Sequence, residues 1–384
     1  MSPVAARSPN PFAYGELVAD DTFTDRTREL AELASDVRNG LSVAVIAPRR
    51  YGKSSLVRAA LAEVSVDGVL AIEVDLMTTP TKERLAAKLA KSIHDEVAST
   101  LFRAKERLRV FSGLRVAPSM TVDSTGAVSF TFAASRDPGD IDATIERLLE
   151  LPGELAADGR RRIAVFFDEF QEVTSIDPHL PGLMRSVFQR QPEVAHLYAG
   201  SRRDMMHRLF VDKHEPFYRS AKVVELGAIS ADDFAGYIHA RFDATDRGVA
   251  DAAVERLLEI TTGHPSATQE LAYALWEQVP EGFTATASDL DEALRAVLRA
   301  ENARFTLVWE NATRPQKLLL QAFAREPGRP FGHGYRLAHD LPPASGVQRA
   351  LRPLHEQEQV AKRVDGLYDL AEPFLREWIL SRAL

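Results

Sequence analysis

The sequence has 384 residues, 45% of them hydrophobic and 27% charged, with a formal net charge of −8. That is enough chain for two or three domains around sizeable cores, and the negative balance argues against a protein held on nucleic acid by bulk charge. The absence of cysteine excludes disulfides, thiol chemistry and cysteine-based zinc sites. No segment reaches the ~18 consecutive apolar residues of a membrane span, and MSPVAARSPNPFAYGEL has no apolar run of signal-peptide length. The expected setting is the cytoplasm, with no membrane partner.

Residues 1–22, rich in proline and turn formers, are expected to be extended. Leu30, Leu33 and Val37 recur at helical spacing within 25–38. LSVAVIA, 41–47, is a short apolar run rich in β-branched residues, which suits a strand buried on both faces of a parallel sheet. A glycine turn, a helix from SSLVRAALAEV and a second strand, GVLAIEVDL at 68–76, complete a βαβ unit. Residues 81–109 read as a charged helix, and 114–133 alternate around a Ser-Thr-Gly turn as an inserted β-hairpin. A helix over 140–157 follows. RRIAVFFDEFQEV (161–173), VAHLYAGS (194–201) and KVVEL (222–226) supply three more strands. Strands separated by helices predict an α/β fold, a parallel sheet flanked by helices.

After about residue 228 the strands are expected to stop. Helical patterns run over 230–242, 249–260, 266–278 and 287–302, with Ser230 as an N-cap and TTGHPS, 261–266, as a break. The last segment predicts helices at 314–325, 333–340 and 345–355. A hairpin at 358–370 turns at Asp365-Gly366, and a closing helix is PFLREWILS. Three helices and a hairpin describe a winged helix-turn-helix. The expected organisation is therefore an α/β core at 1–228 carrying the 114–133 hairpin, a helical lid at 229–304, and the winged helix at 305–384.

Phosphate binding needs backbone N–H groups and a helix N-terminus aimed at oxygens. APRRYGKSS, 47–55, supplies that context between a strand and a helix. Gly52 lets the backbone approach the phosphates, Lys53 would reach the β- and γ-phosphates, and Ser54 would ligate Mg²⁺. The pattern G-x-x-x-x-G-K-[ST] has alanine, Ala47, at its first glycine, which is tolerable where φ is negative. A neighbouring strand should then end in carboxylates. IAVFFDE does so, with Asp168 to hold the metal and Glu169 to orient or deprotonate the attacking water. Ser201, at the end of HLYAGS, is placed to touch the γ-phosphate or the water. Arg219, in EPFYRS, could reach a neighbouring subunit's γ-phosphate, with Arg202 and Arg203 as competitors for that role. No G-x-S-x-G or H-E-x-x-H occurs.

These segments, with NPFAYGELVADDTFTDRTREL, YAGSRRDMMHRLF and TGHPSATQELAYALWE, resemble in order the AAA+-like P-loop ATPases of the archaeal ATPase family. That family is related to the STAND NTPases and more distantly to origin-recognition initiators. The resemblance spans nearly the whole chain, winged helix included, and implies ATP or ADP with Mg²⁺ as ligands. By position it makes Pro48, Arg49, Arg50, Tyr51, Gly52, Lys53, Ser54 and Ser55 the Walker A loop, and Asp168 and Glu169 Walker B. It places Phe23 and Arg26 near the adenine, although Asp25 stands where relatives have glycine. Gly263 and Pro265 resemble the G-x-P of the lid, which contacts nucleotide.

The first expectation is a Mg²⁺-dependent ATPase whose lid and winged helix move with nucleotide state. Two other outputs stay open. One is nucleotide-gated DNA binding through residues 306–384, where 11 Lys and Arg stand against 9 Asp and Glu, with Gln348, Arg349 and Arg352 on the recognition helix and Lys362 and Arg363 on the wing. The other is a signalling or defence scaffold that self-associates on ATP, or engages a protein partner.

Overall fold

The computed structural model describes residues 9–15, 26–99, 111, 113–125, 127–133, 137–159, 161–363 and 365–382. The chain divides into two compact units, Arg26–Gly227 and the remainder from Ala228 onward together with the N-terminal segment.

In the first unit, the apolar runs become the strands β1 (Val43–Ile46), β2 (Leu70–Asp75), β5 (Ile163–Asp168), β6 (Val194–Gly200) and β7 (Lys222–Glu225). They form one sheet of order β2-β5-β6-β1-β7, with every neighbouring pair parallel. β1 and β6 are buried along their whole length and β5 nearly so, while the edge strands β2 and β7 are only partly covered. Strands buried on both faces need no alternation, which is why these runs read as continuous. Strand β5 stops at Asp168. The expected continuation through FQEV is instead a 3₁₀ turn, Phe170–Glu172, and a short helix, Val173–Ile176.

The open edge of β2 is closed by side chains of the helix Lys82–Ser99. Ser92 Oγ donates to the Glu73 carbonyl at 2.5 Å, and the Glu96 carboxyl lies near the Ala71 N–H. Serine and glutamate four residues apart on one helix face thus face alternate backbone groups of the edge strand. The hairpin insertion is formed by β3 (Ser119–Val122) and β4 (Val128–Thr131), paired antiparallel. It is attached through Phe130 and Phe132, both buried, while β3 is exposed throughout.

Against the sheet, Phe167, Phe170, Tyr198, Phe210 and Phe217 pack with ring centroids 4.5 to 6.0 Å apart. His196 lies within β6 beside this cluster. It is stacked on Phe188 at 4.0 Å, and its Nε2 has no hydrogen-bond partner among the described residues. Burial lowers its pKa from 6.5 to about 3, so the imidazole is neutral in the folded protein.

The second unit is mainly helical. Helices Ala231–Asp243, Asp251–Thr261 and Pro265–Gln278 precede the long helix Ala287–Asn311. Strands do not end at 228. Two two-residue segments, β8 (Gly248–Val249) and β9 (Thr284–Ala285), pair in parallel between helices. The long helix runs past the expected end at 302, and residues 304 and 305 fall inside it. Its extension buries Phe305 and brings Trp309 to 6.3 Å from Trp378 of the closing helix Pro373–Arg382. Trp378 Nε1 also donates to Asn302 Oδ1 at 2.9 Å. The winged part has helices Arg314–Arg325, His333–Ala338 and Ala344–Glu356 and the antiparallel hairpin of β10 (Val360–Lys362) and β11 (Tyr368–Leu370). One continuous hydrophobic core runs from Phe234 and Trp276 through Phe305 to Phe323 and Trp378. The helices from Ala231 to Asn311 and the winged part are therefore a single packed body.

The N-terminal segment 9–15 belongs to this body. Phe12 is buried against Tyr237 and Phe242 at 6.0 and 5.6 Å, and Asn10 Nδ2 donates to the Tyr273 carbonyl at 3.2 Å.

Two outcomes follow from this packing. Phe12→Ala is expected to destabilise the full chain by about 3 kcal/mol in urea unfolding; an unchanged midpoint would show that the segment does not dock. For His196 the unfolded chain binds a proton below its ordinary pKa and the folded chain does not, so stability falls as pH drops from about 6.5 towards about 3. Between about pH 7.5 and pH 5 the wild type should lose about 2 kcal/mol more than His196→Leu. Equal losses in the two proteins would contradict a neutral buried imidazole.

Candidate active site

All five strands point the same way, so the residues that follow β1, β5 and β6 emerge at one edge of the sheet. The strand order sets β6 between β1 and β5. The turn after β1 is thus separated from the end of β5 only by the end of β6, a place where α/β sheets bind ligands.

The loop after β1 begins at Ala47, which is fully buried and donates its N–H to the Gly200 carbonyl at 3.4 Å. Ala47 does not adopt a positive φ, so its methyl meets no backbone strain. The tight turning is done further on, by Arg50 at φ 64° and Gly52 at φ 78°. A Cβ built on Gly52 meets no atom within 4 Å, so backbone conformation rather than crowding calls for glycine there. Gly52 then caps the helix Lys53–Ser65, whose first N–H groups have no intrahelical acceptor. Pro48 and Tyr51 are half-buried and Arg49 and Arg50 exposed.

Lys53 is only 5% exposed and curls back over the loop, its Nζ donating to the Pro48 carbonyl at 3.0 Å. Ser55 is buried, and the Ser54 hydroxyl lies beside the carboxylate of Asp168. Burial pushes the Asp168 carboxyl above the ordinary aspartate value, opposed by the nearby Ser54 hydroxyl, reinforced by the Glu169 charge and opposed again by Lys53. Burial would push Glu169 up as well. Hydrogen bonds from Gln171 and Ser201 and the charge of Lys53 outweigh it and hold this carboxyl below the usual value. Ser201, buried at the end of β6, donates its hydroxyl to Glu169 Oε2 at 2.7 Å. Lys53, Ser54, Asp168, Glu169 and Ser201 are therefore brought together.

Among the described residues no group of three His, Asp or Glu is placed to hold a metal ion. Mg²⁺ does not need one. It commonly takes one or two protein oxygens and completes its shell with water and substrate phosphates. The adjacent Ser54 hydroxyl and Asp168 carboxylate are hard oxygen donors of that kind, and a buried carboxyl raised by desolvation is one that a cation would favour.

The other predicted residues are more scattered. Phe23 lies outside the described residues, as does Asp25. Arg26 is buried. It donates to the Gly227 carbonyl at 2.7 Å and the Tyr51 carbonyl at 3.4 Å, and pairs with Glu29 at 3.3 Å. It thus staples both ends of its own unit to the loop. Arg219 is exposed with φ 53°, its guanidinium 5.8 Å from the Tyr218 ring, while Arg203 pairs with Glu225 at 3.0 Å. Gly263 and Pro265 belong to the other unit. Gly263 has φ 71°, and a Cβ there would stand 2.3 Å from the Ile229 carbonyl oxygen; Pro265 opens a helix capped by His264. Gln171 was not anticipated. It lies in the DEFQE run that carries the resemblance but was given no role there, and it is 1% exposed against Glu169.

On the winged part, Gln348, Arg349 and Arg352 are exposed opposite the buried Val347, Ala350, Leu351 and Leu354. Arg352 is paired with Glu356 at 2.7 Å, and Arg363 of the wing with Asp365 at 3.4 Å. Among the described residues no helix is long and apolar enough to cross a membrane.

Comparison with known proteins agrees with this architecture. The model of the family described as Novel STAND NTPase 1 matches residues 14–314, and that of a probable winged helix domain matches 303–381. Among solved structures, a Walker-type ATPase of Pyrococcus abyssi is similar over 94% of this chain and 97% of its own, at 16% identity and a TM-score of 0.64. The ORC2 protein of Aeropyrum pernix, in ADPNP–ADP complexes, is similar over 96% and 98%, at 15% identity and a TM-score of 0.53. The ORC1 protein of the same organism, in complex with DNA, is similar over 96% and 97%, at 15% identity and a TM-score of 0.50. No curated protein matches the chain. With a P-loop sheet, a helical body and a terminal winged helix all in place, the chain belongs to the Novel STAND NTPase 1 family.

Proposed function

We propose that the protein is a Mg²⁺-dependent ATPase whose site is the edge of the sheet at β1, β5 and β6. The observation that carries this reading is the meeting of the loop and the acids: the Ser54 hydroxyl beside the Asp168 carboxylate, with Lys53 acting electrostatically on both Asp168 and Glu169. A lysine buried beside two carboxylates, at the head of a helix, suits a ligand rich in negative oxygens.

In this reading Gly52 and the first N–H groups of its helix cradle the phosphates, helped by the backbone of Pro48 to Tyr51. Lys53 leaves the Pro48 carbonyl for the β- and γ-phosphates, exchanging a neutral acceptor for a charged one. Ser54 and Asp168 would hold Mg²⁺, which when bound neutralises charge on the phosphate oxygens. Glu169 orients the attacking water and accepts its proton, and Ser201 fixes the Glu169 carboxylate. The lid and winged helix share one core, so nucleotide state would move them together. Such an enzyme would work in the cytoplasm, where Mg-ATP is held in abundance.

Two further outputs have observations that favour them, DNA binding and assembly on ATP. The exposed Gln348 and Arg349 lie on the outer face of the winged-helix segment Ala344–Glu356, and the structurally similar ORC1 protein was solved with DNA. Arginine and glutamine read bases and grip phosphates. For assembly on ATP, the exposed Arg219 offers a guanidinium with no ion pair among the described residues, free to meet a phosphate on a second copy.

Lys53→Ala should abolish the heat of ATP binding in calorimetry. Glu169→Gln should bind ATP as the wild type does and lose turnover by at least about 100-fold. Wild-type turnover in Glu169→Gln would remove the base assignment. For DNA binding, duplex DNA at about 0.1 M salt should bind more tightly with ATP than with ADP, and Arg349→Glu should weaken that binding. No duplex binding in either state would reject it.

A further inference from the structure

Glu169 occupies the left-handed region, at φ 50° and ψ 49°. A non-glycine residue sits there at a cost of about 1 kcal/mol or more, and does so only where its surroundings hold it. On one side the hold is the next residue. Phe170 is fully buried between Tyr198 at 4.5 Å and Phe217 at 5.1 Å. On the other side it is the carboxylate itself. Three donors converge on a single oxygen, Oε2: the Ser201 hydroxyl at 2.7 Å, the Ser201 N–H at 3.2 Å and Gln171 Nε2 at 2.6 Å. Among the described residues Oε1 accepts no hydrogen bond.

The amide of Gln171 has a slot made for it. A Cβ on Gly200 would stand 2.5 Å from Gln171 Oε1 and 2.4 Å from Met206 Sδ, so only glycine leaves the room. The orientation of the amide is fixed by charge, because its oxygen turned towards Glu169 would face a carboxylate. The other end of the amide is not satisfied: Gln171 Oε1 is buried without a partner among the described residues. A half-satisfied buried amide is costly, and leucine would fill a similar volume without that cost. Packing alone gives no reason for glutamine here. The hydrogen bond to Glu169 does.

We infer that Gln171 is a positioning residue for ATP hydrolysis, which together with Ser201 locks Glu169 Oε2 and leaves Oε1 as the oxygen that receives the proton of the attacking water. The inference rests on the ATPase reading above. In the step it serves, the water oxygen bonds to the γ-phosphorus and the bond from that phosphorus to the ADP oxygen breaks. The water proton passes to Glu169 Oε1. A carboxylate pinned at one oxygen cannot swing away from that water, and its orientation is set before nucleotide arrives.

The test is a double-mutant cycle on the full chain, with ATP affinity from calorimetry and the hydrolysis rate from single-turnover kinetics. Gln171→Leu removes the donor, and Gln171→Met is the second variant should leucine unfold the chain. With Glu169 present, either change should leave the dissociation constant for ATP within about twofold and slow hydrolysis about 10- to 100-fold. In the Glu169→Gln background the same change should have no further effect on the residual rate, since there is no base left to position. A merely structural role would slow both backgrounds alike. Wild-type hydrolysis in Gln171→Leu or Gln171→Met, or an equal further loss in the Glu169→Gln background, overturns the inference and leaves the ATPase reading standing. A wild-type chain that binds Mg-ATP and never hydrolyses it overturns the ATPase reading, and this role with it.

Discussion

The approach of the Ser54 hydroxyl to the Asp168 carboxylate is the point on which the architecture turns. One partner opens a helix after β1 and the other closes β5, with β6 lying between those strands. They can meet only if the strands are parallel, if their C-terminal ends are level, and if the loop folds back far enough to span the width of β6. Each condition has its own cause. Continuous apolar runs bury β1, β5 and β6 on both faces and make the sheet. The left-handed backbone at Arg50 and Gly52 makes the loop. The N–H of Ala47 on the Gly200 carbonyl ties the start of that loop to the end of β6.

Around this contact the unit concentrates charge where water is scarce. Lys53 and Asp168 are both largely withdrawn from solvent, and Glu169 is held by donors of the protein itself. Such a cluster is costly to assemble without an occupant, and electrostatic interactions inside it are stronger than they would be at the surface. The strain at Glu169 belongs to the same design. A left-handed residue is kept in place by a buried phenylalanine after it and by hydrogen bonds on its own carboxylate. Arg26 extends the network outward, joining the loop at Tyr51 to Gly227, the last residue of the unit.

Much of this was legible in the sequence, and the exceptions have physical reasons. Strands announced themselves because β-branched runs bounded by glycine and charge have few other uses. The loop and the acids were legible because a Gly-Lys-Ser turn between strand and helix, and an apolar strand ending in two acids, are narrow sequence patterns. Gln171 was hidden because a buried amide beside an acid has no periodic signature; its meaning comes from Ser201 and Gly200, remote in sequence. The pairing of β8 with β9 was missed because two residues are too few to form a pattern. The long helix outran its expected end because the reason for continuing lies elsewhere, in Trp378 and Asn302. Arg26 is an intermediate case. Its motif drew attention to it, but its backbone partners at Tyr51 and Gly227 could not be read from spacing.

The most direct measurement is a crystal structure of the full chain grown with a non-hydrolysable ATP analogue and Mn²⁺, with the metal located by its anomalous scattering. The account predicts one strong peak bridging the analogue's phosphates and the oxygens of Ser54 and Asp168, with the Lys53 ammonium on the terminal phosphates. A triphosphate bound away from the loop after β1, or a metal that touches neither Ser54 nor Asp168, would contradict it.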